Sequence, residues 1–167
     1  MPYKLIVLLV AVIAMLAGCA DSSKTLADKE IKSQEMSDIE RGRYVVKLLG
    51  CNDCHTAGYM VTRANIPEED WLAGGSLGFR GPLGTSYPTN LRLLLDSMSE
   101  EEWLALARQM RKDSPMAWVM LPKTSDQDLR AVYRLVKYLG PKGVPALARL
   151  PAGVTPTTPY VEYPEPH

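Results

Sequence analysis

Residues 51–55 read Cys51-Asn52-Asp53-Cys54-His55. Two thiols three residues apart, followed at once by an imidazole, form the spacing at which haem is attached covalently to protein. The two thiols can reach the two vinyl groups on one edge of the ring, and the adjacent histidine can reach the iron from one face. The sequence therefore predicts one haem c held by Cys51 and Cys54, with His55 as a ligand to the iron.

Two other sites use paired cysteines, a redox dithiol and a zinc site. A thioredoxin-like dithiol belongs to a βαβ pattern, and no such pattern is visible around Cys51. A zinc site needs two more ligands, whereas the only other histidine is the terminal His167 and the only other cysteine is Cys19. Both alternatives lack the residues that they require.

The second axial ligand has to come from elsewhere in the chain, because one helix cannot cover both faces of the ring. A methionine thioether suits the iron of an electron carrier and raises its reduction potential. The candidates are Met60, Met98, Met110, Met116 and Met120. Met116 is preferred because it lies between two predicted helices, where an irregular chain can present its sulfur to the ring. Met120 remains the alternative.

The first residues have the pattern of a secretory leader. Lys4 precedes an unbroken apolar run over residues 5–16, which is shorter than the roughly 20 residues of a membrane-spanning helix. The run ends in Leu-Ala-Gly before Cys19, an ending that resembles the lipobox of bacterial lipoproteins. We expect a leader over residues 1–18, a lipid on Cys19 and export to the periplasm, although an ordinary leader or an uncleaved anchor is the alternative. The pattern does not say whether the inner or the outer membrane is the destination.

The composition excludes several classes of protein. The chain has 167 residues, 46% of them hydrophobic, and a formal net charge of +0, which indicates one folded domain. Neither a disordered chain nor a basic nucleic-acid binder has this composition, so no nucleic-acid partner is expected. The sequence shows no paired carboxylates, no phosphate-binding glycine loop and no Ser/His/Asp set. An enzyme with acid–base machinery is therefore not predicted.

Capping signals divide the chain into a tether, a helical domain and a tail. Residues 19–36 are polar and are interpreted as a tether, and Ser37 with Glu40 predicts the start of a helix that ends near Gly50. Residues 52–90 are rich in glycine and proline and should be irregular. Two further helices are expected, one after Ser99 and one from Ser125 to Gly140. The domain then covers residues 37–140, and residues 141–167 form a proline-rich tail that either wraps the body or stays free.

The helical segments, the attachment motif and the Met116-Ala117-Trp118 turn together resemble the class I cytochrome c fold. More narrowly, Gly74-Gly75, Gly84-Thr85 and residues 87–90 look like the haem domains in cytochrome subunits of membrane-bound bacterial dehydrogenases. Those subunits usually have proline after the ligand methionine and several haem domains in a row, whereas this chain has Ala117 and one attachment motif. The resemblance implies an all-α fold around one haem, and a close contact of Gly42 with Tyr133 where the first and last helices cross.

The pattern predicts an electron carrier with His55 and Met116 as iron ligands. Its expected partners are other redox proteins, namely a dehydrogenase, an oxidase or another cytochrome, and the membrane through the lipid on Cys19. Two alternatives stay open. One is a haem enzyme or small-ligand sensor with an open sixth site, and the other is a cytochrome subunit of a dehydrogenase or oxidase complex. Four aromatic residues are expected to line the haem pocket, namely Trp71, Phe79, Tyr87 and Trp118. Arg80 is expected to be either a partner of a haem propionate or a surface residue.

Overall fold

The structure is a computed structural model that describes residues 28–34, 36–62, 64–109 and 120–162. Contacts divide the chain into two units, of which the first ends at Ser37 and the second begins at Asp38. In the first unit residues 28–34, 36 and 37 are helical and exposed. The expected N-cap role of Ser37 is wrong, because Ser37 is itself helical. The division into leader, tether, domain and tail remains a prediction.

The second unit is built from short helices and a small sheet. Helix α1 covers residues 38–48, and the attachment motif forms helix α2. Helix α2 is Cys51–His55, and the remaining helices are α3 (Leu91–Asp96), α4 (Glu100–Arg108) and α5 (Asp126–Leu139). Single 3₁₀ turns lie at Glu68–Asp70 and Leu121–Lys123.

The capping signals located α4 and α5 correctly. Ser99 accepts a hydrogen bond from the Glu102 amide, and the Glu102 carboxylate accepts one from the Ser99 amide, which completes a capping box. Ser125 accepts from the Asp128 amide at the start of α5, and Gly140 ends that helix. Both predicted helices are confirmed.

Helices α1 and α5 cross at Gly42, where the backbones approach closely. A β-carbon at position 42 would overlap the carbonyl oxygen of Ala131 and lie 2.7 Å from the β-carbon of Leu135. The predicted crossing of these helices is present, but the closest residues are Ala131 and Leu135, and not Tyr133. The buried apolar residues of α1 are Ile39, Val45 and Val46, while Tyr44 and Leu48 are exposed.

A three-stranded sheet was not predicted. Strands β1 (Gly78–Gly81) and β2 (Gly84–Ser86) form an antiparallel hairpin, and β3 (Tyr160–Glu162) pairs in parallel with β1. On the other edge of β2, Thr85 and Leu150 exchange two main-chain hydrogen bonds of 2.9 and 3.0 Å. The proline-rich segment therefore wraps the body over residues 141–162.

About half of the described residues are helical, so the predicted helical, cytochrome c-like fold is confirmed, although the small sheet means that it is not strictly all-α. The core consists of residues from α1, α3, α4 and α5 together with Trp71 and Leu72. Among the described helices, none combines the length and apolar character needed to cross a membrane.

Candidate haem site

The attachment motif forms its own helix, α2, directly after the turn that ends α1. Gly50 allows this turn because its φ of 65° lies in the left-handed region, which glycine adopts without strain. Cys51 and Cys54 are three residues apart on the helix, and side chains at this spacing lie on the same helical face. The helix thus presents both sulfurs on one side, as attachment to one edge of a ring requires.

The His55 imidazole is buried and oriented by a main-chain carbonyl. Its Nδ1 lies 2.7 Å from the carbonyl oxygen of Thr89, and only 7% of the residue is exposed. A carbonyl can only accept, so Nδ1 must carry the proton and donate it, which leaves the lone pair on Nε2. Burial lowers the pKa of His55, although the bond to Thr89 opposes this shift. A neutral ring with a free Nε2 is the form that binds a metal.

The two thiols lie in surroundings that disfavour their ionised form. Burial raises the pKa of Cys51 to about 12, and burial also raises the pKa of Cys54, with the Asp53 carboxylate adding to the shift. Redox dithiols have the opposite property, because they need a thiolate near neutral pH. Among the described residues, no group of three or more His, Cys, Asp and Glu side chains is suited to holding a metal ion. The surroundings of the two thiols therefore disfavour the dithiol interpretation.

A buried polar network connects the motif to the next segment of chain. The Thr56 hydroxyl donates to Asn52 Oδ1 at 2.7 Å and accepts from the Leu72 amide at 2.8 Å. The Gly74 amide donates to the His55 carbonyl at 2.7 Å. Leu72 is fully buried with a φ of 62°, a conformation that costs a bulky residue energy and that the surrounding contacts must maintain. The segment that contains Leu72 and Gly74 is thereby fixed beside His55.

Helix α3 begins on the other side of Leu72, and the residue before its N-cap supplies the acceptor for His55. The Leu72 carbonyl accepts from the amides of Leu91 and Arg92, and Thr89 lies just before the helix. Neither α3 nor the Thr89 carbonyl was predicted. The signal for α3 was Asn90 before an apolar run, an N-cap pattern, whereas a main-chain carbonyl has no signature in sequence.

Arg92 was also missed, although it is one of the few charged residues in the interior. Its guanidinium donates to four main-chain carbonyls, those of Leu139 and Gly140 at the end of α5 and those of Glu69 and Trp71. Burial lowers its pKa, while Asp70 opposes the shift. Arg92 therefore joins α5, α3 and the segment that precedes Leu72.

These residues fit a covalently bound haem. The donor set is a pair of sulfurs on one helical face and a neutral imidazole whose Nε2 has no hydrogen-bond partner among the described residues, which is the set that haem c takes. Asn52, between the cysteines, has a buried Nδ2 atom without a hydrogen-bond partner in the described structure. The motif thus contains a buried hydrogen-bond donor for which the described residues offer no acceptor.

Several predicted residues lie outside the described residues, namely Cys19, Met110, Met116, Trp118 and His167. Of the other methionines, Met60 and Met120 are 52% and 56% exposed, and Met98 is half-buried against the hydrophobic core. Trp71 belongs to the core and donates through Nε1 to the Ile66 carbonyl at 3.0 Å.

The remaining predicted wall residues lie in or beside the sheet. Phe79 is buried in β1, and the Tyr87 hydroxyl accepts from Thr158 at 3.2 Å. Arg80 forms an ion pair with Glu162 of β3, with Nη1 and Oε1 2.7 Å apart. In the described structure, Arg80 thus has a partner in the C-terminal segment.

The chain is similar to a cytochrome c protein. Over 105 residues it is 31% identical to the cytochrome c subunit of a quinone alcohol dehydrogenase from Gluconobacter oxydans (strain 621H), and the match covers 57% of this chain. The chain spans about a fifth of that subunit's length, since the match covers 20% of it. No protein-family model and no solved structure matches the chain. The similarity indicates a cytochrome c-like relationship in general.

Proposed function

We propose that this chain is a periplasmic electron carrier with one covalent haem c, in which His55 and Met116 ligate the iron. The observation that carries the proposal is the His55 geometry within the Cys51–Cys54 helix, where a buried imidazole donates through Nδ1 and keeps Nε2 for a metal. The similarity to a cytochrome c subunit supports the same class of cofactor and a role in electron transfer. A haem held at this site supplies reversible one-electron reduction and oxidation.

The chain's own residues attach, orient and enclose the group. Cys51 and Cys54 provide the thioether sulfurs, and His55 provides a nitrogen whose orientation is fixed by the Thr89 carbonyl. The buried position of His55 would keep water away from an iron bound there, which would favour the less charged state of the iron and raise the reduction potential. Met116 provides a sulfur that acts in the same direction.

The proposal is tested with protein produced in a host that attaches haem c. The chain should keep its haem through acid–organic extraction, and the reduced form should give a low-spin cytochrome c spectrum. Cys51→Ala with Cys54→Ala should lose the covalent haem and fail to fold, because the haem contributes much of the core. A wild-type product without covalent haem, or a compact, helical double variant, would contradict the proposal.

Membrane attachment is proposed to depend on a lipid on Cys19. Each methylene of the acyl chains that is buried in the bilayer contributes about 0.8 kcal/mol to the free energy of membrane binding, so no further apolar segment is needed. Cells fed a labelled fatty acid should label the wild-type chain but not the Cys19→Ser variant, which should be released into the periplasmic fraction. Equal labelling of both chains would exclude this anchor.

A cytochrome subunit of a dehydrogenase complex is the second candidate function, favoured by the similarity to a subunit of that kind. In that case a dehydrogenase should co-purify with the tagged chain and reduce its haem faster than free donors do. Purification of the tagged chain alone from its native membranes, with normal haem content, would favour the independent carrier.

The alternative of a haem enzyme or small-ligand sensor requires an open sixth site. Carbon monoxide distinguishes it from the carrier, because a methionine-ligated reduced iron binds this gas poorly. Rapid binding by the untouched reduced protein would overturn the carrier proposal.

A further inference from the structure

Asn90 lies between the residue that orients His55 and the C-terminal segment. Its side-chain amide donates to the carbonyls of Lys142 and Val144 at 2.8 and 3.0 Å, and its Oδ1 accepts from the Leu93 amide at 3.1 Å. The residue is 3% exposed. All three hydrogen-bonding functions of the side chain are therefore used, two of them by the segment that follows α5.

The residue type matches this double role. Serine or aspartate would cap α3 equally well, because an N-cap needs only a side-chain oxygen. Asparagine adds an NH₂ group with two donors, and these donors reach the two carbonyls of residues 142 and 144. The amide is thus specific to the contact with the C-terminal segment.

The neighbouring glycines bring the backbone up to Asn90 from two sides. A β-carbon on Gly143 would lie 3.1 Å from Asn90 Nδ2, and one on Gly74 would lie 3.3 Å from Asn90 N. The Gly74 amide also donates to the His55 carbonyl. Asn90 is therefore enclosed by the C-terminal segment on one side and by the chain beside His55 on the other.

Movement at Asn90 must reach His55 because of the covalent structure of the chain. The Thr89 carbonyl and the Asn90 nitrogen belong to one planar peptide unit, so they rotate together. That carbonyl is the acceptor for His55 Nδ1 at 2.7 Å. A shift of the C-terminal segment that turns this peptide would lengthen or bend the hydrogen bond to the imidazole.

We infer that Asn90 is a positioning residue, through which the C-terminal segment (residues 141–162) sets the strength of the His55 ligand and thereby the reduction potential. The inference rests on the proposed function, since it takes His55 as the iron ligand. A strong hydrogen bond from Nδ1 makes the imidazole a better electron donor and favours oxidised iron. Loosening the segment should therefore move the potential to a more positive value.

The test compares alanine substitutions at two glycines of the C-terminal segment that have the same backbone conformation. Gly143 and Gly153 have φ values of 81° and 82°, so alanine strains the backbone equally at both positions. Only at Gly143 does the added carbon meet Asn90, whereas a β-carbon at Gly153 has no described residue within 4 Å. Gly143→Ala should raise the potential in a spectroelectrochemical titration, and Gly153→Ala should leave it at the wild-type value.

Asn90→Ser gives a second test that does not disturb the tail backbone. Serine keeps a capping oxygen but loses both amide donors, so the potential should rise and the His55 ring proton should exchange faster in the reduced protein. The double variant with Gly143→Ala should show less than the sum of the two shifts, because both act through one contact. Ser99→Ala, which removes the cap of the next helix, α4, and leaves Asn90 and its contacts in place, serves as the control and should leave the potential unchanged.

The outcomes separate this inference from the proposed function. Wild-type protein without covalent haem would overturn the proposed function itself. Normal haem content with an unchanged or more negative potential in Asn90→Ser would overturn only the role of Asn90. Equal shifts in Gly143→Ala and Gly153→Ala would also overturn it, because general strain in the tail would then be the cause. If Gly143→Ala fails to fold, the result for Asn90→Ser decides.

Discussion

Gly42 in α1 lies against the carbonyl of Ala131 in α5, so closely that a β-carbon at position 42 would overlap the carbonyl oxygen. The first and last helices of the domain therefore meet through their backbones. This contact brings α1, which leads directly into the attachment helix, against α5. The position of Cys51 relative to the core thus depends on a residue without a side chain.

Gly42→Ala should destabilise the domain strongly. The added carbon would also lie 2.7 Å from the β-carbon of Leu135, so the helices must move apart. Overpacking of this kind costs about 1–3 kcal/mol, and backbone atoms yield less than side chains. Chemical denaturation of the haem-loaded protein measures the loss. Glu40→Ala, at an exposed position of the same helix, is the control and should change the stability by about 0.5 kcal/mol at most.

Helices could be predicted from the sequence where the signal was local. The capping residues Ser99 and Ser125 lie within three residues of the groups that they bind, so α4 and α5 were located correctly. Ser37 shows the limit of this reasoning, because the same pattern lies inside a helix. The attachment motif was equally local, and the structure adds to it the burial and orientation of His55.

The parts that were missed depend on contacts between distant residues. Phe79 pairs with Val161, and Thr85 pairs with Leu150, across more than sixty residues of chain that contain no matching strand pattern. The acceptor for His55 is the main chain of Thr89, which any residue could supply. Arg92 appears in sequence as one more charged residue, and only the fold shows that four carbonyls surround it.

The Thr56 hydroxyl should contribute more to stability than its methyl group. Thr56→Val keeps the shape of the side chain but leaves the buried Leu72 amide without an acceptor and Asn52 Oδ1 without a donor. Such a loss costs about 1–3 kcal/mol. Thr56→Ser, which keeps the hydroxyl, should cost about 1 kcal/mol in thermal or chemical unfolding. An equal cost for both variants would show that packing, and not the hydrogen bonds, is what Thr56 provides.

Asp128 should make the stability depend on pH in the acidic range. The hydrogen bond from the Ser125 hydroxyl holds the pKa of Asp128 below its usual value of 3.8, and Arg41 has a smaller effect in the same direction. A carboxyl with a lowered pKa in the folded state stabilises the fold above its usual pKa, and this contribution disappears as the pH falls through the folded value. The pair with Arg41 is partly exposed, so solvent screening limits its contribution to about 0.5–1 kcal/mol.

The difference in unfolding free energy between wild type and Asp128→Asn should therefore be constant near neutral pH and should shrink below pH 3.8. Denaturant titrations at a series of pH values measure it. Glu40→Gln removes an exposed carboxylate from the facing helix α1 and provides the comparison. A difference that grows on acidification would contradict the assignment.

Met116 and Met120 are the two candidates for the sixth ligand, and their alanine variants should behave differently. The Met120 side chain is 56% exposed and lies just before the 3₁₀ turn Leu121–Lys123. An exposed thioether is poorly placed to ligate an iron held by the buried His55, so Met120→Ala should keep the weak red absorption band of methionine-ligated ferric haem and its high potential. Met116→Ala should lose the band completely, lower the potential and let the reduced protein bind carbon monoxide. The reverse pattern would assign the ligand to Met120, and persistence of the band in both single variants would require a different methionine.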